Sequence, residues 1–201
     1  VTRFADGLAH PRWLYVLPNG DVLLAESSSE PSKPKGLMDW VAQRVQKHAG
    51  ALLPSPNRIM LLRDADGDGV AQLRQASARD LRRPPAMVLV GDRLYVARDD
   101  AVVRIPYRTG DLRASAAPQK VADLPGGPIN HHWVKNVVAS PDGAKLYVSV
   151  GSNSNIAENG MAAETERADI LQMDLDGGGR GVSAPGLRHP KGMELGPAPR
   201  R

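Results

Sequence analysis

The stretch Pro125-Gly126-Gly127-Pro128-Ile129-Asn130-His131-His132-Trp133-Val134-Lys135-Asn136 holds the residues best equipped for chemistry in this 201-residue chain. Histidine is the side chain suited to proton transfer near neutral pH. Two stand side by side here, ahead of an apolar strand–turn–strand run that ends in Gly151-Ser152-Asn153-Ser154-Asn155. An imidazole so placed can take a proton from a hydroxyl. Spacing alone equally allows a hydrogen-bonded pair in a surface loop. Two other sets invite a functional reading. Asp64-Ala65-Asp66-Gly67-Asp68-Gly69 resembles the start of a calcium loop, but an EF-hand-like loop needs a Glu at its twelfth position, and Gln75 stands there. Three Asp and two Gly also build a hairpin tip, so this segment reads as a turn and no metal ligand is assigned. Trp13, Trp40 and Trp133 could stack on a sugar. Trp13 occupies a repeat position, where it packs. Trp40 sits on a helical face. Trp133, beside the histidines, is the candidate for substrate contact, together with His131.

What sets the two histidines apart is the repeat they interrupt. Leu8-Ala9-His10-Pro11-Arg12-Trp13, Leu81-Arg82-Arg83-Pro84-Pro85-Ala86-Met87 and Leu187-Arg188-His189-Pro190-Lys191-Gly192-Met193 share a Leu, a Pro three residues on, and a large apolar residue soon after. Gly127-Pro128-Ile129-Asn130-His131-His132-Trp133 is a looser copy that carries His where the others carry Pro or an apolar residue. A position that departs from its own repeat is not explained by packing. Alternating runs follow at Asp21–Ala25, Leu94–Ala97 and Leu146–Val150, each behind a tight turn: Gly20-Asp21, Gly91-Asp92 and Asp142-Gly143. Further short strands are expected at Arg58–Leu62, Met87–Leu89, Val102–Ile105, Val137–Ala139 and Ile170–Met173. Pro84 and Pro190 lie 106 residues apart, two units of 53; Pro11 and Pro84 lie 73 apart, one unit plus an insertion. Several short strands in repeats of roughly 40–50 residues are the mark of β-propeller blades.

The fold class expected is therefore all-β, a β-propeller of about three blades. Propellers close with roughly four to eight blades, so the expectation for residues 1–201 is a partial propeller domain, truncated on its C-terminal side. The insertion falls at about 31–56. Within it Leu37, Trp40, Val41, Val45 and Ala49 share one helical face, and Gly50 is a stop. The formal charge is +4, from 26 basic and 22 acidic residues scattered along the chain. That is not the clustered stripe a nucleic-acid binder needs. No apolar run is long enough for a transmembrane helix, and no signal-peptide pattern opens the chain. With no cysteine, thiol catalysis and disulfides are excluded.

The run from His131 through Ser140-Pro141-Asp142-Gly143 to Asn155 resembles the pyrroloquinoline quinone (PQQ)-dependent sorbosone/glucose dehydrogenase family. So do Asn57-Arg58-Ile59-Met60-Leu61-Leu62-Arg63-Asp64, Gly186-Leu187-Arg188-His189-Pro190 and the insertion; the resemblance covers residues 1 to about 193. It implies a six-bladed propeller with the quinone on the channel axis, and a histidine that takes the proton of the sugar C1 hydroxyl as hydride leaves. By its offset to the Ser-Pro-Asp-Gly turn that histidine is His132. In the family's Gly-Leu-Arg-Asn-Pro turn an Arg and an Asn contact the quinone; Arg188 matches the first and His189 replaces the second. Lys191 stands where glucose-oxidising relatives have an amide. Those relatives also place an acid near the base. Here that residue is Ser152, which leaves the orienting partner of His132 open. A planar, multiply anionic quinone suits an Arg fork.

The resemblance thus implies a quinoprotein oxidising the C1 hydroxyl or aldehyde hydrate of a sugar, with an external electron acceptor and a periplasmic location. PQQ and calcium are the implied cofactors, the calcium ligands lying mostly outside this chain. As 201 residues the chain is expected to be inactive and to self-associate through an open blade edge. A non-catalytic propeller serving as a binding or scaffold module is the alternative. A metal-dependent lactonase is a third possibility; it would need carboxylate and Asn ligands converging on one ion.

Overall fold

The computed structural model describes residues 2–29, 36, 38, 40–41, 44–45 and 54–196. Twelve strands form three four-stranded antiparallel sheets, each a meander whose spatial order follows the sequence. The first sheet holds β1 (Pro11–Val16), β2 (Val22–Glu26), β3 (Arg58–Arg63) and β4 (Leu73–Ala78). The second holds β5 (Ala86–Val90), β6 (Arg93–Ala97), β7 (Ala101–Pro106) and β8 (Gln119–Asp123). The third holds β9 (Asn136–Ala139), β10 (Lys145–Val150), β11 (Asp169–Asp174) and β12 (Gly181–Ala184). The first strands pack on one another, β1 against β5 and β5 against β9, so they form the inner edge. These are blades of a β-propeller.

Alternation along the middle strands builds the two interblade cores. Leu23, Ala25, Ile59 and Leu61 of the first blade meet Met87, Leu94, Val96, Val103 and Ile105 of the second. The opposite face of the second blade gives Ala86, Tyr95, Ala97 and Val102, which meet Val137, Leu146, Val148, Val150, Leu171 and Met173 of the third. Trp13 packs against both cores. On the far face of the first blade, Leu24 and Leu62 are covered by Phe4, Ala5 and Leu8 of the N-terminal segment. Leu14 and Val16 on that face stay 61% and 66% exposed.

The expected turns are where the sequence places them. Gly20, Gly91 and Gly143 take φ of 86°, 58° and 69° in the three inner hairpins, a region open to glycine at little cost. The helix expected around residues 36–50 lies mostly outside the described residues; Met38, Trp40, Val41, Arg44 and Val45 are helical.

Strand direction alternates, so the loops sort to two ends. One end carries the inner hairpins and the β3–β4 loop with Asp64, Asp66 and Asp68. The other carries every entry to an inner strand, the β2–β3, β6–β7 and β10–β11 loops, and the segment after β12. His131, His132, Trp133, Arg188, His189 and Lys191 are all at this second end.

Candidate functional site

Residues 127–135 lead into β9 and are tied to the β10–β11 loop. The His131 amide donates to the Asn153 carbonyl at 3.1 Å, and Asn153 Nδ2 donates to the Ile129 carbonyl at 2.7 Å. This clamp sets His132 over the start of that loop. Its Nδ1 lies 3.0 Å from the Ser152 carbonyl. A carbonyl can only accept, so Nδ1 carries the hydrogen, and in the neutral ring Nε2 keeps its lone pair. The partner left open by the sequence is thus a backbone oxygen, at the position where an acid was expected.

His189 stands edge-on to His132, with ring centroids 4.6 Å apart and planes at 67°. Burial, followed by the charges of His132 and Lys191, pushes the His189 pKa down to about 4. The ring is therefore neutral near pH 7, and its buried Nε2 has no hydrogen-bond partner among the described residues. Gly151 makes the close approach possible: a Cβ there would lie 2.5 Å from His132 Cβ and 3.0 Å from His189 Cδ2. The segment after β12 is held by the Arg188 carbonyl, which accepts from the Ser152 amide at 2.9 Å. Asn136 Nδ2 donates to the Lys191 carbonyl at 2.8 Å. Arg188 projects its guanidinium outward, with Nη2 3.1 Å from Asn155 Oδ1. Ser152 thus meets His132 through its carbonyl and Arg188 through its amide, with His189 edge-on to His132, while Lys191 is tied to Asn136. His131 is exposed at the rim.

Trp133 turns the other way. It is buried, its Nε1 donates to Ser29 Oγ at 3.2 Å, and the Arg12 and Arg83 guanidinium carbons sit 5.4 and 5.7 Å from its ring centroid. Such contacts are cation–π pairs. Together with Ser27 Oγ donating to the Pro84 carbonyl at 2.9 Å, they pin the three blades to one another beside the site.

Sequence reasoning passed over a buried polar group next to Trp133. Lys135 has 0% exposure, and its Nζ has no hydrogen-bond partner among the described residues. Burial, then the Arg167 charge, pushes its pKa down to about 8, against the pull of Asp99 and Asp100. Asp99 is buried too, and desolvation raises its pKa despite Arg82. A lysine just before a strand gives no sequence sign of this, because the charges around it, Asp99, Asp100 and Arg167, come from the β6–β7 and β10–β11 loops.

The Asp64 cluster lies at the opposite end. Its carboxylates come within 4.8 Å of one another, and they serve the turn. Asp64 accepts the Gly67 and Gly69 amides at 2.7 and 2.9 Å, and Gln72 Nε2 bridges Asp66 and Asp68. The Gly69 amide is the first cause of the lowered Asp64 pKa.

The histidine end offers what an anionic planar group needs: an exposed guanidinium at Arg188, a buried cation at Lys135, and a glycine where any larger residue would strike both histidines. The residues fit such a group.

No protein-family model and no curated protein matches the sequence. Solved structures match the fold. The holo PQQ domain of pyranose dehydrogenase from Coprinopsis cinerea is similar at a TM-score of 0.60 and 16% identity, over 86% of this chain and 35% of that one. The PQQ-bound aldose sugar dehydrogenase of Streptomyces coelicolor is similar at 0.51 and 18%, over 88% and 48%. A putative 6-phosphogluconolactonase of Bacteroides uniformis is similar at 0.51 and 14%, over 94% and 45%. The chain thus spans about a third to a half of the length of these proteins, and the likeness is one of fold.

Proposed function

We propose that this chain carries the proton-transfer half of a PQQ-dependent sugar dehydrogenase site, with His132 as general base. The observation that carries this reading is the fixed tautomer of His132. Its Nδ1–H is committed to the Ser152 carbonyl, so Nε2 is the atom left to take a proton from a sugar C1 hydroxyl or aldehyde hydrate. A second imidazole 4.6 Å away would oppose that proton if it were charged. Its depressed pKa keeps His189 neutral near pH 7, so no second imidazolium opposes the proton that His132 takes. Arg188 offers a planar fork to quinone oxygens, with His189 and Lys191 beside it. His131, exposed at the rim, flanks the sugar; Trp133, buried and turned towards Arg12 and Arg83, is withdrawn from substrate contact. PQQ, when bound, supplies the hydride acceptor; the protein holds it, orients the hydroxyl and moves the proton.

Calcium as second cofactor, an external electron acceptor and a periplasmic location come with the same reading. No helix among the described residues is long and apolar enough to cross a membrane. The blade faces at either end of the row of sheets are suited to self-association, and the 201-residue chain alone is expected to turn over no sugar. A lactonase-like fold at a similar TM-score shows why the argument has to rest on the site and not on the fold.

The test is a PQQ titration of the purified chain followed by tryptophan fluorescence. Saturable, weak binding is expected, lowered about tenfold or more by Arg188→Ala, the scale of one charge-assisted hydrogen bond, and retained in His132→Ala. A flat titration up to millimolar quinone would refute the reading and favour a non-catalytic binding module.

A further inference from the structure

The Ser152 carbonyl that fixes the His132 tautomer belongs to a peptide unit whose other end is also engaged. The amide hydrogen of that unit is the one on Asn153, and it donates to Glu164 Oε2 at 2.8 Å. A trans peptide is planar and points its C=O and N–H in opposite directions. One rigid unit therefore joins two hydrogen bonds: Glu164 on the N–H side, and His132 Nδ1 at 3.0 Å on the C=O side. To turn the carbonyl away from the imidazole, the amide must leave the carboxylate.

Glu164 is well placed to hold that unit. It ends a short 3-10 helix, Met161–Glu164, and its side chain reaches back to the start of the β10–β11 loop. Its Oε1 also lies 3.4 Å from the Ser154 amide and 3.5 Å from Ser154 Oγ. Successive amides converging on one anion form a nest. The same loop is braced sideways. Asn153 Nδ2 donates to the Ile129 carbonyl and Asn159 Nδ2 donates to Asn153 Oδ1, both at 2.7 Å. A charged acceptor strengthens the first hydrogen bond of a chain, and the bonds of a chain polarise one another. The carboxylate thus aims the Ser152 oxygen and makes it a better acceptor for Nδ1–H. The charge of Glu164 also acts on Arg167, whose guanidinium is held by Asn130 Oδ1 at 3.0 Å and the Gly126 carbonyl at 2.5 Å.

We propose that Glu164 is a positioning residue of the site. Through the Ser152–Asn153 peptide it holds His132 in the Nδ1–H tautomer and keeps Nε2 open to a proton. This rests on the general-base reading above and names the residue that prepares the base.

The experiment reads the tautomer directly, from the ring nitrogen chemical shifts of isotope-labelled histidine in the purified chain. It is run at about pH 8.5, above the ordinary histidine range, with His132→Gln to assign the signals. Wild type, Glu164→Ala and Glu164→Gln are compared, with near-UV circular dichroism as the check on folding. In wild type the Nδ1–H form is expected to outweigh the Nε2–H form by at least about fivefold, the scale of one hydrogen bond. Glu164→Ala should lower that ratio by a similar factor. Glu164→Gln loses the charge but keeps a carbonyl oxygen for the Asn153 amide, so it should restore the wild-type ratio. A folded Glu164→Ala with the wild-type ratio would overturn this inference and leave the general-base reading standing. A Glu164→Gln that behaves like Glu164→Ala would assign the effect to the charge lost beside Arg167 and would overturn it too. If Glu164→Ala does not fold, the wild type decides. A scalar coupling across the hydrogen bond, from the Asn153 amide nitrogen to the Glu164 carboxyl carbon, is expected, and its absence would overturn the inference. Wild-type His132 in the Nε2–H form would bring down the general-base reading and this inference together.

Discussion

At the residue scale the site depends on how closely His132 approaches the start of the β10–β11 loop. Gly151→Ala would put a methyl 2.5 Å from His132 Cβ and 2.8 Å from its carbonyl. Overpacking of this kind costs about 1–3 kcal/mol, so denaturant unfolding of the variant should show a loss in that range; unchanged stability would mean the loop relaxes freely. Lys135 makes a pH prediction. Its ordinary pKa of 10.5 falls to about 8 in the fold, so between those values the unfolded chain binds the extra proton. Stability must then rise with pH across that window, by on the order of 3 kcal/mol for a shift of this size. Lys135→Met should abolish the rise, measured by urea unfolding at stepped pH; an identical pH profile would place the charge elsewhere. His132 was legible from sequence because it breaks its own repeat. Its orienting partner was not, since a backbone carbonyl leaves no mark in residue types. Lys135 was not either: a lysine at a strand start reads as solvated, and only the packing of Asp99 and Arg167 from two blades shows it sealed.

At the element scale, legibility followed burial. The eight strands expected from alternation are present within a residue or two of their predicted ends. The outermost strands β4, β8 and β12 escaped, because Leu73-Arg74-Gln75-Ala76-Ser77-Ala78, Gln119-Lys120-Val121-Ala122-Asp123 and Gly181-Val182-Ser183-Ala184 carry no apolar alternation. They lie at the rim, where no second apolar face selects for it. Inner strand β1 was seen as part of the repeat and not as a strand, its opening Pro11 being compatible with a first strand position. Local stability should follow the same gradient. Amides of β2, β6 and β10 are expected to exchange slowest, and those of β8 and β12 well ahead of global unfolding; uniform exchange across each sheet would contradict it. Within the second core, Leu146 is fully buried, and Leu146→Ala should cost about 2–5 kcal/mol by thermal or chemical unfolding.

At the scale of the whole molecule, the three blades of the described residues present two faces that no further blade among those residues covers. One is shielded in part by Phe4, Ala5 and Leu8, yet Leu14 and Val16 remain open. The other is a groove between Val138, Tyr147 and Ile170 of the third blade and Met193 and Leu195 of the following segment. Exposed apolar sheet surface of this kind favours association. Size-exclusion chromatography with light scattering should therefore show concentration-dependent oligomers, and a strictly monomeric chain at high concentration would count against it. The central claim is that the end of the blades bearing His132 is a quinone site. It is tested most directly by determining the structure of the chain crystallised with PQQ. The account predicts quinone at that end, in contact with Arg188 and His189 and with His132 Nε2 facing it. Quinone at the opposite, Asp64-bearing end, or no bound quinone at saturating concentration, would contradict it.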